Sequence, residues 1–586
     1  MKAIKHEEWR PSDGITLEAA AAQAVFANGN CVITAGPGAG KTELLAQKAG
    51  YLLQTNTCPY PKQILAISFK KDAAANLKDR VNLRCGRELG CRFTSLTYDA
   101  FASSLLDRFL CALPYEFAVN PDYEVSLENN LPNIGPRGHR RLNFKWIRKL
   151  AIIILQSNPK IRKALQLTYS HVFLDEFQDT TPTQYELVCA CFKDSICELT
   201  AVGDEKQRIM VWAGAMKDVF RRFSQEFQTQ HFELVMNHRS TPKLIALQMA
   251  MYESLNAAPA QISPDNRWKM EDGSAALLIC RDDDQEAEVV AQEIANQIRI
   301  GNSSANDFCL ICRNRPDIYT VKVIARLKEQ GINARVESSF QDLVKEPLID
   351  LIVRFIRFSL DSSNPKDREI LLSAFAEIRH VNTDEESKEY DEFVKELYKR
   401  LDATKKWIKD PQSPHRAETF IKRLIENYIG VDRIKAIYPE YSQGTYLSSV
   451  LGQVASAIQS EFDNGCTTWD SAIKSFLGVN TVPAMTIHKS KGLEFKSVYF
   501  IGLDDESFMN FKNQPEEDRC AFFVALSRAR ENVTFTFCEK RNNYARHHEH
   551  INEFFELLQN HPSVNPRDLR TENNNPQSPP VISGVG

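Results

Sequence analysis

Three short stretches of the chain carry residues that can act on a phosphate. The first is Ala35-Gly-Pro-Gly-Ala-Gly-Lys-Thr42, which follows the apolar run Cys31–Thr34 and leads into a helical pattern reaching about Leu53. Gly36, Gly38 and Gly40, set among Ala35, Pro37 and Ala39, let backbone N–H groups wrap phosphate oxygens without side-chain obstruction. A helix that starts there turns its positive end toward the same anion. Lys41 can neutralise the β- and γ-phosphates, and Thr42 can hold Mg²⁺. The second stretch is His171-Val-Phe-Leu-Asp-Glu-Phe-Gln-Asp-Thr180, an apolar run that delivers adjacent carboxylates. Asp175 can bind the metal, usually through water, and Glu176 can polarise an attacking water. By itself such a pair reads as a helix cap or a solvated turn; downstream of a phosphate loop it reads as a site for Mg-ATP hydrolysis. The third stretch, Leu526-Ser-Arg-Ala529, reads as an arginine brought from far along the chain to finish that site.

With the phosphate loop upstream, Asp175-Glu-Phe-Gln-Asp-Thr180 resembles the second motif of UvrD/Rep-like superfamily 1 helicases. The other motifs follow in family order. Ile64-Leu-Ala-Ile-Ser-Phe-Lys-Lys-Asp-Ala-Ala-Ala75 resembles motif Ia, Thr97-Tyr-Asp-Ala-Phe101 resembles Ib, and Gly203-Asp-Glu-Lys-Gln-Arg-Ile-Met-Val-Trp-Ala-Gly-Ala215 resembles III. Asn237-His-Arg-Ser240 resembles IV, Thr486-Ile-His-Lys-Ser-Lys-Gly-Leu-Glu-Phe495 resembles V, and Leu526–Ala529 resembles VI. Any one of these is weak, but the series spans roughly residues 17–540.

The resemblance implies further roles. Gln207 would sense the γ-phosphate, Arg239 and Arg528 would be arginine fingers, and Glu494 would hydrogen-bond the ribose. Guanidinium groups suit a reaction in which negative charge grows on the transferred oxygens. Phe69, Lys70 and Lys71, then Trp212, then His488 and Lys489, fall where the family contacts single-stranded DNA, through aromatic faces for bases and cations for phosphates. A core position is the alternative for Trp212, given its neighbours Met210 and Val211. The chain also departs from the family. Ala21 stands where a glutamine usually reads adenine, with Gln23 two residues on as the candidate substitute. His238 replaces the tyrosine that usually stacks on the base. Met210, Ala213 and Asp99 stand where the family favours tyrosine, arginine and histidine, which predicts a looser grip on the strand.

These motifs need strands to position them. Cys31–Thr34, Ile64–Phe69, His171–Leu174, Leu199–Val202, Phe232–Met236, Phe308–Cys312, Val498–Ile501 and Val533–Phe537 are short runs that read as buried parallel strands. In open α/β sheets, ligands gather at the carboxyl ends of such strands. The expected fold is α/β, with two RecA-like parallel-sheet motor domains, each interrupted by a mainly helical accessory subdomain. The first motor domain (1A) is expected over 1–102 and 171–232, with its insertion (1B) over 103–170. The second (2A) is expected over 233–360 and 478–558, with its insertion (2B) over 361–477. Residues 561–586, rich in Pro, Asn and Ser, read as a disordered tail.

Composition excludes other classes. The 586 residues are 43% hydrophobic and 25% charged with net charge −4, which argues against a histone-like basic body but not against a local basic channel. No run reaches the roughly 18 apolar residues of a membrane span, and the start lacks an apolar signal core, so a cytoplasmic location is expected. Cys309 and Cys312 have metal-site spacing but lie in an apolar run, Cys189 and Cys191 fall in a helical pattern, and neither a structural metal nor a disulfide is expected. Three functions fit the sequence, with ATP and Mg²⁺ as cofactors and tailed DNA as partner. One is a 3′→5′ DNA helicase or translocase. Another is a motor subunit serving a separate nuclease, as in anti-phage systems such as Gabija. The last is a nucleotide-gated DNA clamp. The oligomeric state is open.

Overall fold

The computed structural model describes residues 3–571 apart from 127–140, 256–261, 302, 338–340, 345, 383–386, 411–415, 439–440, 442–445 and 464. The chain forms two compact units. One comprises Met1–His238, Gln261–Ser263 and Glu337–Asn480; the other comprises Arg239–Ala260, Pro264–Val336 and Thr481–Gly586.

The first unit is built on six strands: β1 (Cys31–Ala35), β2 (Gln63–Ser68), β3 (Phe93–Thr97), β4 (Tyr169–Leu174), β5 (Glu198–Gly203) and β6 (Gln230–Leu234). They lie in the order β3-β2-β4-β5-β1-β6, and every pairing is parallel. Alternate side chains enter two different cores, as the two-residue period of a strand requires. Val32, Leu65, Ile67, Val172 and Leu174 face one, while Ile33, Ile64, Ala66, Phe173 and Val202 face the other. Burial on both faces is why these runs are apolar throughout. Helices α1 (Ala19–Phe26), α2 (Lys41–Gln54) and α3 (Lys71–Gly90) cover the second face. Helices α4 (Tyr98–Phe109) and α5 (Phe144–Ser157) cover the first.

Several expected boundaries differ from this arrangement. The run expected as strand Phe232–Met236 forms β6 two residues earlier and pairs with β1, so it closes the first sheet instead of opening the second domain. The expected start of 1B at 103 falls inside α4. Ile147, Leu150 and Ile154 of α5 share their core with β2 and β4, where the apolar stripe of α5 is buried. Residues 127–140 of that insertion lie outside the described residues.

The 2B segment also begins earlier than 361. Helices Gln341–Val344 and Pro347–Leu360 join those from Pro365–Arg379 to Trp469–Phe476 around one core that runs from Leu343 to Phe476. Trp407, Phe420, Phe462 and Trp469 cluster at its centre. This helical body is part of the first unit, tied to α3 by the ion pairs Lys71–Glu346 (3.1 Å) and Arg87–Glu369 (3.3 Å).

The second unit holds β7 (Ser274–Asp282), β8 (Phe308–Cys312), β9 (Asn333–Val336), β10 (Thr481–Thr486), β11 (Phe495–Phe500), β12 (Ala529–Arg541) and β13 (Val564–Asp568). Their order is β9-β10-β8-β11-β12-β7-β13, all parallel, and Tyr544–Ala545 folds back antiparallel on β12. Strand β13 corrects the expected tail. Residues 564–568 pair with β7, and Pro566 is tolerated because β13 is an edge strand. Residues 572–586 lie outside the described residues. Cys309 and Cys312 are buried in β8, where the Cys312 thiol donates to Met485 O. Cys189 and Cys191 lie in the helix Pro182–Phe192. Among the described residues no helix is long and apolar enough to cross a membrane.

Candidate functional site

In the first unit the phosphate loop runs from the carboxyl end of β1 into α2. Gly40 caps α2 in the left-handed region (φ 77°), and Gly38 shares that region (φ 72°), a geometry that a side chain would strain. Ala35 closes β1, while Gly36, Pro37 and Ala39 complete the turn. Lys41 Nζ donates to the carbonyls of Ala35 (3.1 Å) and Gly36 (3.3 Å), so the ammonium lies over the loop. Thr42 stands in the first turn of α2. His238 N–H donates to Gly38 O (2.9 Å), which fixes that residue against the loop; a Cβ at Gly40 would lie 3.9 Å from its ring.

Because β5 lies beside β1 and β4 beside β5, the residues that follow them are brought to the same rim. Asp175 directly follows β4 and is 3% exposed. Glu176 takes a left-handed backbone (φ 50°), a conformation costing about 1–3 kcal/mol that persists where surrounding contacts enforce it. One such contact is Gln178 Nε2, which donates to Glu176 Oε2 (2.5 Å). Gln178 Oε1 accepts from Asp204 N–H (3.0 Å), and Gln207 Nε2 donates to Asp204 Oδ2 (2.9 Å). Glu176, Gln178, Asp204 and Gln207 thus form one hydrogen-bonded chain joining the expected base to the expected phosphate sensor. The first and last members are singled out by the sequence. Gln178 and Asp204 are not, although both lie inside the recognised motifs; only the neighbouring placement of β4 and β5 brings them together. Gly203 is the other residue missed: a Cβ there would meet Gln178 Oε1 at 2.1 Å.

The residues considered for reading the nucleotide base lie on α1. Ala21 is buried in the core beneath α1, whereas Gln23 lies on its exposed side. At about 100° per residue the two point in nearly opposite directions.

In the second unit, Arg239, Glu494 and Arg528 converge from three separate segments. Arg239 Nε donates to Glu494 Oε2 (2.8 Å), and its Nη1 donates to Ser527 O (3.0 Å). Burial pushes the Glu494 carboxyl up, but Arg239 above all, then Arg530 and Arg528, hold it below the usual carboxylate range. Arg528 is 2% exposed and donates to the carbonyls of Val524 (3.1 Å) and Leu493 (3.1 Å) and to the Ser527 hydroxyl (2.9 Å). These bonds fix its guanidinium plane.

The expected strand-contacting residues also stand at carboxyl ends of strands. Phe69 and Lys70 follow β2 and are half-buried. Lys71 does not offer a freely available charge, because Glu346 and the Tyr446 hydroxyl (3.4 Å) engage it. Trp212 sits on the short helical turn Val211–Ala213 and is 66% exposed, so burial does not account for it. Asp99 forms an ion pair with Arg148 of α5, which answers the carboxylate where the family favours histidine. His488 follows β10 in the second unit, on the turn Ile487–Ser490, and is half-buried.

A family model described as an AAA domain matches residues 18–213, and one described as the UvrD-like helicase C-terminal domain matches residues 377–540. The chain is 22% identical over 635 residues to the ATP-dependent DNA helicase Rep of Escherichia coli (strain K12), covering 89% of this chain and 90% of that protein. The Rep helicase of Salmonella typhimurium matches to the same extent. A probable DNA helicase II homolog of Mycoplasma capricolum is 22% identical over 596 residues, covering 86% of this chain and 82% of that protein. With a phosphate loop, a carboxylate pair and an arginine cluster set on two parallel sheets, and with both family models matching in order, the chain belongs to the UvrD/Rep-like superfamily 1 helicases.

Proposed function

We propose that the protein is an ATP-dependent DNA helicase or translocase that couples Mg-ATP hydrolysis to 3′→5′ movement on single-stranded DNA. The observation that carries the reading is the chain Glu176–Gln178–Asp204–Gln207, which ends five residues before the exposed Trp212. It starts at a carboxylate suited to activating water and ends in the segment that carries a ring suited to stacking on a base. Lys41 neutralises phosphate charge, Glu176 takes the proton of the attacking water, and Gln207 holds the far end of the relay. Arg239 and Arg528 offset the charge that grows on the transferred oxygens. The Thr42 hydroxyl and the Asp175 carboxylate are hard oxygen donors of the kind Mg²⁺ takes, and they would hold that ion. When bound, it supplies charge neutralisation on the phosphate oxygens. Phe69, Lys70, Trp212 and His488 contact the strand, and Glu494 and His238 contact the nucleoside. Among the described residues no feature favours the nuclease-partnered or the clamp reading over a motor that acts by itself.

Strand displacement on duplexes with a 3′ or a 5′ tail tests activity and polarity together. Unwinding from the 3′ tail is expected, with Lys41→Ala inactive. Unwinding from the 5′ tail alone overturns the polarity, and DNA-independent hydrolysis without displacement overturns the motor.

A further inference from the structure

Helix α3 touches both ends of the proposed reaction within the first unit. Its amino terminus at Lys71 directly follows Phe69 and Lys70, the segment assigned to the DNA strand. Thirteen residues on, Arg84 reaches the first turn of α2, where Glu43 immediately follows the phosphate-loop residues Lys41 and Thr42. The joint is specific in geometry. Arg84 Nε donates to Glu43 Oε1 (2.8 Å) and Arg84 Nη2 to Glu43 Oε2 (2.9 Å), a two-pronged fork, while Arg80 Nη1 donates to Glu43 Oε2 (3.0 Å). Gln47 Nε2 adds a bond to Glu43 Oε1 (2.9 Å), and Arg84 also pairs with Asp13. The Glu43 and Arg84 side chains are 17% and 11% exposed, so solvent screens the fork little.

Between its two ends α3 is stiff. It keeps helical geometry from Lys71 to Cys85, breaking only at Gly86 (φ 80°). Thirteen residues of helix span about 20 Å. Leu77, Val81 and Cys85 bury one stripe against the core shared with α2, which leaves the helix able to shift as a rod but not to bend. A displacement at Lys70–Lys71 therefore arrives at Glu43, one residue from Thr42.

We propose that the Glu43–Arg84–Arg80 fork is a coupling joint through which strand binding at the amino end of α3 sets the position of Lys41 and Thr42, making Arg84 and Arg80 positioning residues for DNA-stimulated hydrolysis. The route is separate from the Glu176–Gln207 chain, since it runs through α2 and α3 and uses none of those four side chains. It rests on the reading of the chain as a DNA-dependent ATPase.

The test measures ATP turnover with and without single-stranded DNA for the unaltered chain, Arg84→Lys, Arg80→Ala and the charge exchange Glu43→Arg with Arg84→Glu. Strand affinity and thermal midpoint are recorded alongside. Arg84→Lys keeps the charge but loses the fork, so DNA-stimulated kcat should fall about tenfold, within the range of a broken coupling contact. Turnover without DNA, the KM for ATP and strand affinity should stay within about twofold, with Arg80→Ala showing a smaller loss. The charge exchange should recover part of the stimulation. Full stimulation in Arg84→Lys, or an equal loss of turnover with and without DNA, overturns the joint. If DNA fails to stimulate even the unaltered chain, the motor reading fails and the joint falls with it; the unaltered arm keeps that outcome distinct.

Discussion

Gln178 uses its amide in two directions, donating to Glu176 and accepting from Asp204, and so leaves no room for a Cβ at Gly203. A Cβ at that position would lie 2.1 Å from Gln178 Oε1, 2.8 Å from Phe220 Cζ and 3.1 Å from Phe177 N. The first neighbour can swing aside; the backbone nitrogen cannot. Gly203→Ala should therefore push Gln178 away from Glu176 and free the base from its orienting bond. Turnover is expected to fall about a hundredfold, the low end of what a positioned base supplies, while binding of a non-hydrolysable ATP analogue is retained. Gln178→Ala should reproduce the loss without the crowding. Turnover close to that of the unaltered chain in Gln178→Ala would mean that the relay only tidies the rim. At this scale Lys41 and Glu176 stand out by residue type and spacing, and Gln207 only through the resemblance of its motif to the family's. The connecting residues were hidden. A glutamine and an aspartate 26 positions apart have no sequence mark of contact, and Gly203 is needed for space, not for a turn.

At the scale of elements, most strands that carry apolar runs were readable, Ser274–Asp282 with its run Ala275–Cys280 being missed, and those with mixed signals were not. Phe93–Thr97 has three hydroxyl residues among its five and only one buried side chain, so its burial signal is faint. Thr481–Thr486 contains Pro483, which argues against an inner strand, yet it lies between β9 and β8. Helix boundaries failed where packing decides them: Pro347–Leu360 reads equally well as part of either body until Leu348, Ile352, Phe355 and Ile356 are seen in the helical core. Buried polar structure was equally invisible. Arg541 at the end of β12 pairs with Glu286 (2.5 Å) in the helix Asp283–Arg299, at side-chain exposures of 2% and 1%. Thr536 Oγ1 donates to the other Glu286 oxygen (2.5 Å), and Arg541 Nη1 donates to Tyr319 O (3.2 Å). Removing one partner strands a buried charge, so Glu286→Ala should cost the second unit about 3–5 kcal/mol. Urea denaturation should show this as a lowered midpoint with an unchanged slope. Exchanging both residues for apolar ones of similar volume should recover most of the loss. A cost below about 1 kcal/mol in the single variant would place the pair in the class of solvated bridges instead.

At the scale of the whole molecule, the two units carry titrating groups of opposite sign. His171 in β4 belongs to the first unit. Burial, then the charges of Lys48 and Lys62, pushes its imidazole down to about 3. The Glu198 carboxylate, 3.8 Å from Nε2, pulls the other way, but it also accepts from Gly29 N–H, and burial prevails. Between about 3 and the ordinary histidine value of 6.5 the unfolded chain binds a proton that the folded unit refuses. Stability of the first unit therefore rises with pH across that window and is lost on acidification. Asp504 in the second unit is the reverse case. Burial raises its carboxyl to about 6, against the opposing Ser507 N–H, Arg541, Arg546 and Tyr319 hydroxyl. Between the ordinary 3.8 and about 6 the folded unit holds a proton that the unfolded chain releases, so this contribution is complete below that window and is lost as pH rises through it. Lowering the pH from about 7 to about 5 should weaken the first unit through His171 and strengthen the second through Asp504. Hydrogen exchange read separately over β1–β6 and β7–β13 resolves the two responses. His171→Gln should flatten the acid loss in the first unit alone, and Asp504→Asn should flatten the acid gain in the second alone. If His171→Gln leaves the acid response of β1–β6 unchanged, the proton responsible is bound elsewhere and His171 is only a packed ring.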